Sequence, residues 1–316
     1  MKTYIIVHQK PDTDSVVAAL SFKYIFDSGK CWGHTNSIPC ITHDLNPETK
    51  FVFNKFKADK SQLKLIKSPD ISDDSKIVLV DHNEPSQQLS GLNQEQITDI
   101  FDHHKINLNL NKPIFITTKD WGSTNTIAWQ IMDLYKYPIS KTLASLMLCA
   151  ILSDTVNFKS VTTTNVDKQA AQALAKIADI KDIDQLALEM LKAKSDISKL
   201  TNDQIAVNDY KIYDFSGKKV FISQLETVEQ KNLLKTRKQN LLKTLKAIKQ
   251  KENYNLAFIA VSDVLKVNTK LLILSDDEKN IAEKAFNQKT KDNLLDIGPK
   301  LSRKKQIAPA IEKAII

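Results

Sequence analysis

Short apolar runs that stop at acidic or histidine-bearing motifs set the rhythm of the first part of the chain. Tyr4-Ile5-Ile6-Val7 leads into His8, Ile77-Val78-Leu79-Val80 into Asp81, and Ile97-Thr98-Asp99-Ile100-Phe101 into Asp102. Their length and β-branched content predict buried strands. Apolar residues at helical spacing predict helices over 16–26, 124–135 and 141–152, with Ser15 placed to cap the first. Strands alternating with helices predict a parallel sheet with helices on both faces. In such a sheet ligands gather at the carboxyl ends of the strands. Motifs far apart in sequence can therefore converge.

From 166 to 194 the chain reads as alanine- and leucine-rich helix, followed by a polar stretch. Beyond it lies a second α/β pattern, with strands expected over 220–223, 256–261 and 271–274 and helices over 231–251 and 277–287. The expected organisation is an N-terminal α/β domain over 1–190, a linker over 191–198 and a smaller, mixed α/β domain over 199–316. A chain of 316 residues with 42% apolar content can bury a core in each. No apolar run reaches about eighteen residues, so no membrane partner is expected. Cys31, Cys40 and Cys149 are odd in number and form no CxxC pair. That argues against a disulfide framework and fits a reducing, cytoplasmic location. Only six glycines occur, and no glycine-rich phosphate loop or dinucleotide fingerprint is among them.

The formal net charge of +8 raises the question of nucleic acid. The densest basic run, 231–251, holds eight basic residues and no acidic one, with Leu234, Leu241, Leu245 and Ile248 along one helical face. It reads as an amphipathic helix with a solvated lysine face. A nucleic-acid- or phosphate-facing patch is the alternative. No aromatic residue interleaves to stack on bases, and no nucleic-acid partner is expected.

Four of the six histidines sit in acid-rich motifs: HQKPDTDS from His8, DHNE from Asp81 and DHH from Asp102; Ser153-Asp154 follows. Carboxylate plus imidazole suits a divalent cation such as manganese. Six or seven such ligands exceed the need of one ion and point to a two-metal hydrolase acting on a phosphate ester or anhydride. Asp12 and Asp14 read either as turn formers or as ligands that face different ions. Asp81, at the end of four aliphatic residues, needs a strong partner, whether a cation, an ion pair or a cap. His103 and His104 are adjacent, so an extended backbone would point them apart, one toward metal and one toward substrate. Asp154 reads either as a ligand or as a polar helix terminus. Two ions about 3.5–4 Å apart can share a bridging water and make hydroxide available near neutral pH.

The run HQKPDTDS, DHNE, DHH and SD, in this order, resembles the DHH phosphoesterase superfamily. Ser302-Arg303-Lys304-Lys305-Gln306 narrows the resemblance to the manganese-dependent inorganic pyrophosphatases, family II. It implies a DHH domain followed by a substrate-binding domain that closes on its ligand with basic residues. By this resemblance His8 and Asp12 hold the first metal, and Asp14, His103 and Asp154 the second. Asp81 bridges them, and His104 stands beside the substrate. Lys211, Arg303 and Lys304 match the basic catalytic residues. The implied reaction is hydrolysis of pyrophosphate to two phosphates by a metal-bridging hydroxide. The implied cofactors are two Mn²⁺ (or Co²⁺) per subunit, with Mg²⁺ arriving with substrate, and the implied assembly is a homodimer through the N-terminal domain. An exopolyphosphatase or an oligonucleotide phosphodiesterase is the alternative. The family has asparagine where this chain has Lys10.

Overall fold

The computed structural model describes residues 2–29, 32–34, 36–195, 197 and 200–315. The chain divides into two compact units, Met1–Lys194 and Ser195–Ile316.

In the first unit six parallel strands form one sheet: β1 (Thr3–Ile6), β2 (Ser37–Ile41), β3 (Lys64–Leu65), β4 (Lys76–Val80), β5 (Ile97–Asp102) and β6 (Phe115–Thr118). Their order is β3-β2-β1-β4-β5-β6. The chain leaves β1 in one direction and β4 in the other, so the switch point lies between them. Strands β2 and β6 escaped the sequence reading. β2 contains Pro39, which weakens any strand pattern, yet β3 pairs only with Cys40 and Ile41 and leaves the edge beside Pro39 free. β6 is largely exposed, and its apolar run, Ile114-Phe115-Ile116, is only three residues long.

Alternate residues of the central strands feed two cores. Ile5, Val7, Val78, Val80 and Phe101 pack with the helices α1 (Thr13–Asp27), α2 (Pro47–Lys55), α3 (Thr124–Leu134), α4 (Lys141–Asp154), α5 (Asn165–Ala178) and α6 (Ile183–Lys194). Tyr4, Ile6, Ile77, Leu79, Ile97 and Ile100 pack on the other side with Leu89, Leu108, Leu110 and Ile114. That second cover is made of 3₁₀ turns and connecting segments rather than α-helices. Right-handed crossovers send the β4–β5 and β5–β6 connections to that side, and both are short.

Two local expectations change. Asp12, not Ser15, caps α1: its carboxylate accepts from the Ser15 amide, and the Ser15 hydroxyl lies 3.1 Å from the Asp12 amide. Ser15 is the third residue of a capping box. The helix expected over 166–194 is two, because Asp179 takes a left-handed conformation at φ 58° and ends α5. The last turn of α6 occupies 191–194, inside the segment expected as linker; of the rest of that segment, Asp196 and Ser198 lie outside the described residues, as does Cys31. Cys40 and Cys149 are buried free thiols.

The second unit carries a five-stranded sheet, β7 (Asp209–Phe215), β8 (Lys218–Thr227), β9 (Leu256–Asp263), β10 (Asn268–Leu272) and β11 (Leu294–Gly298), in the order β11-β10-β9-β8-β7. Only β8 and β9 are parallel, because α8 (Gln230–Lys251) crosses between them. α7 (Asn202–Ala206) and α8 cover one face, where Leu233, Leu234, Leu241 and Leu245 meet Phe221 and Ile259. On the other face α9 (Asp276–Phe286) and α10 (Ala308–Ile315) pack through Ala282, Phe286 and Ile311 on Val220, Ile222 and Phe258. No helix among the described residues is long and apolar enough to cross a membrane.

Candidate metal centre

The carboxyl ends of β1, β4 and β5 lie side by side at the switch point, and each delivers one motif. β1 runs through Val7 to His8. The chain then turns at Pro11 and enters α1, whose cap is Asp12 and whose second residue is Asp14. β4 ends at Val80, and Asp81 follows it with a left-handed backbone at φ 63°. That conformation is costly for a residue with a Cβ and tends to persist at functional positions. β5 ends at Asp102, and His103 and His104 follow in the turn. Asp154 is the last residue of α4.

These residues form two groups that share one carboxylate, and a third set, Asp81, His103 and His104, overlaps the larger of them. Donor atoms of Asp14, Asp81, His103 and Asp154 lie within 4.8 Å of one another, as do those of His8, Asp12 and Asp81. Oδ2 of Asp81 is 3.6 Å from His8 Nε2. Its Oδ1 is 3.3 Å from His103 Nε2, which is 3.4 Å from Asp154 Oδ2. The two oxygens of one buried group thus face different clusters. His103 Nε2 is buried yet makes no well-directed hydrogen bond. Its Nδ1 lies 2.9 Å from the Trp121 carbonyl, so Nδ1 donates and the Nε2 lone pair is left for a cation. The donor set, its spacing and this orphaned nitrogen all fit divalent metal ions.

The turn that carries the two histidines is pinned by Asp102. Its Oδ1 accepts from the His103 amide at 2.8 Å and the His104 amide at 3.1 Å, and lies 2.9 Å from His104 Nδ1. Its Oδ2 accepts from Asn83 Nδ2 at 2.6 Å. Asn83 also accepts from the Asn107 amide, so it ties the second motif to the third. The two imidazoles do not point apart as strand alternation suggests. Their centroids are 4.3 Å apart, because both residues lie beyond the end of β5. They differ in exposure instead: the side chain of His103 is 10% exposed and that of His104 is 51%. The fourth motif histidine, His82, stays out of both groups. Its Nδ1 lies 2.9 Å from the Val80 carbonyl, and burial pushes its pKa down to about 4.

A ring of donors around the carboxylates was not read from the sequence. At the start of α3, Ser123 Oγ, the Thr124 amide and Asn125 Nδ2 all donate to Asp14. Thr124 Oγ1 donates to Asp81 Oδ1 at 2.8 Å. The signal was the polar run Gly122-Ser123-Thr124-Asn125-Thr126 at a helix start, whose amides attract negative charge. Thr124→Val keeps the side chain's shape and removes the donor. It is expected to weaken Mn²⁺ binding about 10- to 100-fold with little loss of stability, as titration calorimetry against the parent would record.

Charge in the centre is mutually compensated. Burial opposes a charge on His8, but Asp12 and Asp81 outweigh it and push its pKa up to about 10. Burial opposes a charge on His103 too, and Asp154 and Asp81 push it up to about 12. Burial and then the charge of Asp81 lift Asp14 to about 7. Burial and then Asp14 hold Asp154 well above the carboxylate range. Burial would raise Asp81 as well, but His103 and His8 hold it well below that range. Without cations, protons neutralise the cluster.

That exchange gives the metal-free protein a distinct pH dependence. A raised folded pKa means stability that is complete below the unfolded pKa and lost as pH climbs through the folded one. For Asp14 the loss runs from the ordinary 3.8 to about 7. For His8 it runs from 6.5 to about 10. Chelated protein is therefore expected to be less stable at about pH 8 than at about pH 6, by on the order of 2 kcal/mol. Denaturant unfolding of the chelated protein at the two pH values measures this, and equal stabilities would remove the proton-for-cation exchange.

The remaining sequence candidates lie in the second unit. Arg303 Nη1 reaches the Asp209 carboxylate at 2.9 Å and also bonds its carbonyl. Asp209 begins β7, two residues before Lys211, so that strand brings Arg303 and Lys211 to one edge of the sheet. Lys211 Nζ stands 5.5 Å from the Tyr213 ring centre. Lys304 is exposed in the π-type turn Arg303–Ile307, which Ser302 caps. Lys10, in the first unit, is also exposed.

Comparison with known proteins covers nearly the whole chain. The model of the DHH family N-terminal domain matches residues 2–151, and that of the DHHA2 domain matches 188–314. The chain is 37% identical over 322 residues to the manganese-dependent inorganic pyrophosphatase of Methanocaldococcus jannaschii, covering 98% of each chain. It is 37% identical over 316 residues to that of Methanothrix thermoacetophila, covering 98% of this chain and 97% of the relative. A crystal structure from Methanococcus jannaschii, assigned to the family II inorganic pyrophosphatases, matches with a TM-score of 0.62 at 36% identity over 99% of both chains. An exopolyphosphatase-related protein from Bacteroides fragilis shares the fold, with a TM-score of 0.52 at 16% identity over 99% of this chain and 92% of that one.

Proposed function

The chain belongs to the family of manganese-dependent inorganic pyrophosphatases, and from that premise we propose that it hydrolyses inorganic pyrophosphate to two phosphates. The observation that carries the reading is Asp81, whose two oxygens face two separate groups of donors. We assign His8 and Asp12 to the first cation and Asp14, His103 and Asp154 to the second, with Asp81 shared. The cations would be Mn²⁺, with Co²⁺ as a substitute, and Mg²⁺ would arrive with the substrate. Bound divalent ions supply positive charge for phosphate oxygens and lower the pKa of water.

The chain's own residues do the rest. Asp102 and Asn83 fix the turn that presents both histidines. Asp102, as hydrogen-bond partner, raises the pKa of His104 despite partial burial. His104 can thus keep a proton on Nε2 to donate to a phosphate oxygen or a leaving group. Lys211, Arg303 and Lys304 supply positive charge to the departing phosphate. A homodimer through the N-terminal unit is supported by β6, an edge strand with Phe115 and Ile116 43% and 39% exposed. The buried free thiols fit a reducing cytoplasm.

Phosphate release from pyrophosphate by chelated, Mg²⁺-loaded and Mn²⁺-loaded protein tests the reading, and Mn²⁺ is expected to give the highest rate. Preferred turnover of tripolyphosphate would point to an exopolyphosphatase, and preferred turnover of dinucleotides to a phosphodiesterase; either would overturn it.

A further inference from the structure

The positive charge of this protein is concentrated in one place. The chain carries 45 basic and 37 acidic side chains. Eight of the basic residues and none of the acidic ones lie in α8, so the rest of the chain is balanced at 37 of each. One helix holds the whole formal excess of +8.

Its two faces differ in kind. Leu233, Leu234, Leu241 and Leu245 are buried against the sheet. Of the basic residues, Lys238 pairs with Asp292, Lys249 with Glu278 and Lys251 with Glu252, and Arg237 bonds Asn202 and the carbonyls of Ile197 and Leu200. The other four, Lys231, Lys235, Lys243 and Lys246, are exposed and have no ion-pair partner among the described residues. They occupy the outward side of a helix about 33 Å long. Lys231 and Lys235 are four apart, and Lys243 and Lys246 three apart, so each pair repels on the helix surface. A surface helix kept only for solubility interleaves glutamates at those spacings. Here the repulsion is left standing, which favours a polyanion as the missing counter-charge.

We propose that the exposed face of α8 binds the phosphate backbone of a nucleic-acid duplex. The apolar side of the helix is spent on the core, so it has none to insert into a lipid surface. No aromatic residue stands among the lysines, so a single strand would find nothing to stack on. A duplex needs neither: its regular phosphates are met by spaced lysines, without sequence preference. Template-directed polymerisation releases pyrophosphate beside a duplex. The purpose of such binding, though not the binding itself, rests on the proposed hydrolysis.

The test is fluorescence anisotropy of a labelled duplex DNA of about 20 base pairs with the full-length, Mn²⁺-loaded protein. Binding is expected at about 50 mM salt, weakening with a log–log slope of about −3 to −4, as four phosphate contacts require. Combined Lys231→Gln, Lys235→Gln, Lys243→Gln and Lys246→Gln should abolish binding and leave phosphate release from pyrophosphate unchanged. A control that removes equal charge elsewhere, Lys50→Gln, Lys168→Gln, Lys176→Gln and Lys313→Gln, should still bind. No binding at low salt overturns the proposal, as does equal loss in the control or tighter binding to single strands or to anionic lipid vesicles. Duplex binding persists in this picture even if pyrophosphate proves not to be the substrate.

Discussion

Asp81→Asn is expected to lower turnover of pyrophosphate by about a thousandfold, equivalent to ~4 kcal/mol of transition-state stabilisation. The substitution removes a negative charge at the one carboxylate that both donor groups share. Asparagine offers one carbonyl oxygen in place of two anionic ones, so one group loses its bridge whichever way the amide turns. Mn²⁺ binding should fall with it, as calorimetry would register. The backbone supplies the control. At φ 63° Asp81 sits in the left-handed region, which asparagine tolerates better than most residues. Asp81→Asn should therefore fold, and its loss of activity should appear with an ordinary circular dichroism spectrum. Retention of more than about a tenth of the parent rate would remove Asp81 from the bridging role.

The second large effect concerns stability. Removing the cations with a chelator should abolish phosphate release and lower the melting temperature by about 10 °C. The estimate follows from mass action: an ion present at a thousand times its dissociation constant adds about 4 kcal/mol, and each kilocalorie is worth about 2–4 °C in a unit of this size. The physical source is visible in the first unit. Asp14 and Asp81 are fully buried, and Asp12 and Asp154 stand beside them, so cations relieve a repulsion that protons relieve only in part. Differential scanning calorimetry of chelated and Mn²⁺-loaded protein measures the shift. An unchanged transition would mean that the donors hold no ion in the folded state.

Much of this site was legible because it lies where two regular patterns end. Each apolar run predicted a strand, each strand end carried an acid or an imidazole, and a parallel sheet brings such ends together. His8, Asp81 and His103 come from three different strands and still meet within a few ångströms. Less legible were the residues that aim these groups. Asn83 and Asp102 lay inside the motifs, yet nothing in their spacing says that one donates to the other. Ser123, Thr124 and Asn125 begin a helix about 110 residues from Asp14, and only the folded chain shows that its first turn faces that carboxylate. The opposed orientation expected for His103 and His104 failed because alternation holds only inside a strand, and β5 stops at Asp102. Edge strands β6 and β7 were missed because exposed strands need little apolar content: β6 keeps a run of three apolar residues, and charged residues interrupt the pattern of β7.

The carboxyl-end placement of the motifs bears on how such enzymes drift apart. Every donor hangs from a strand tip or a helix terminus, while the segments joining one tip to the next run elsewhere. A gene could gain or lose codons in those joining segments without displacing a single ligating atom. Distant cousins should then keep four short words in fixed succession while the gaps between the words wander.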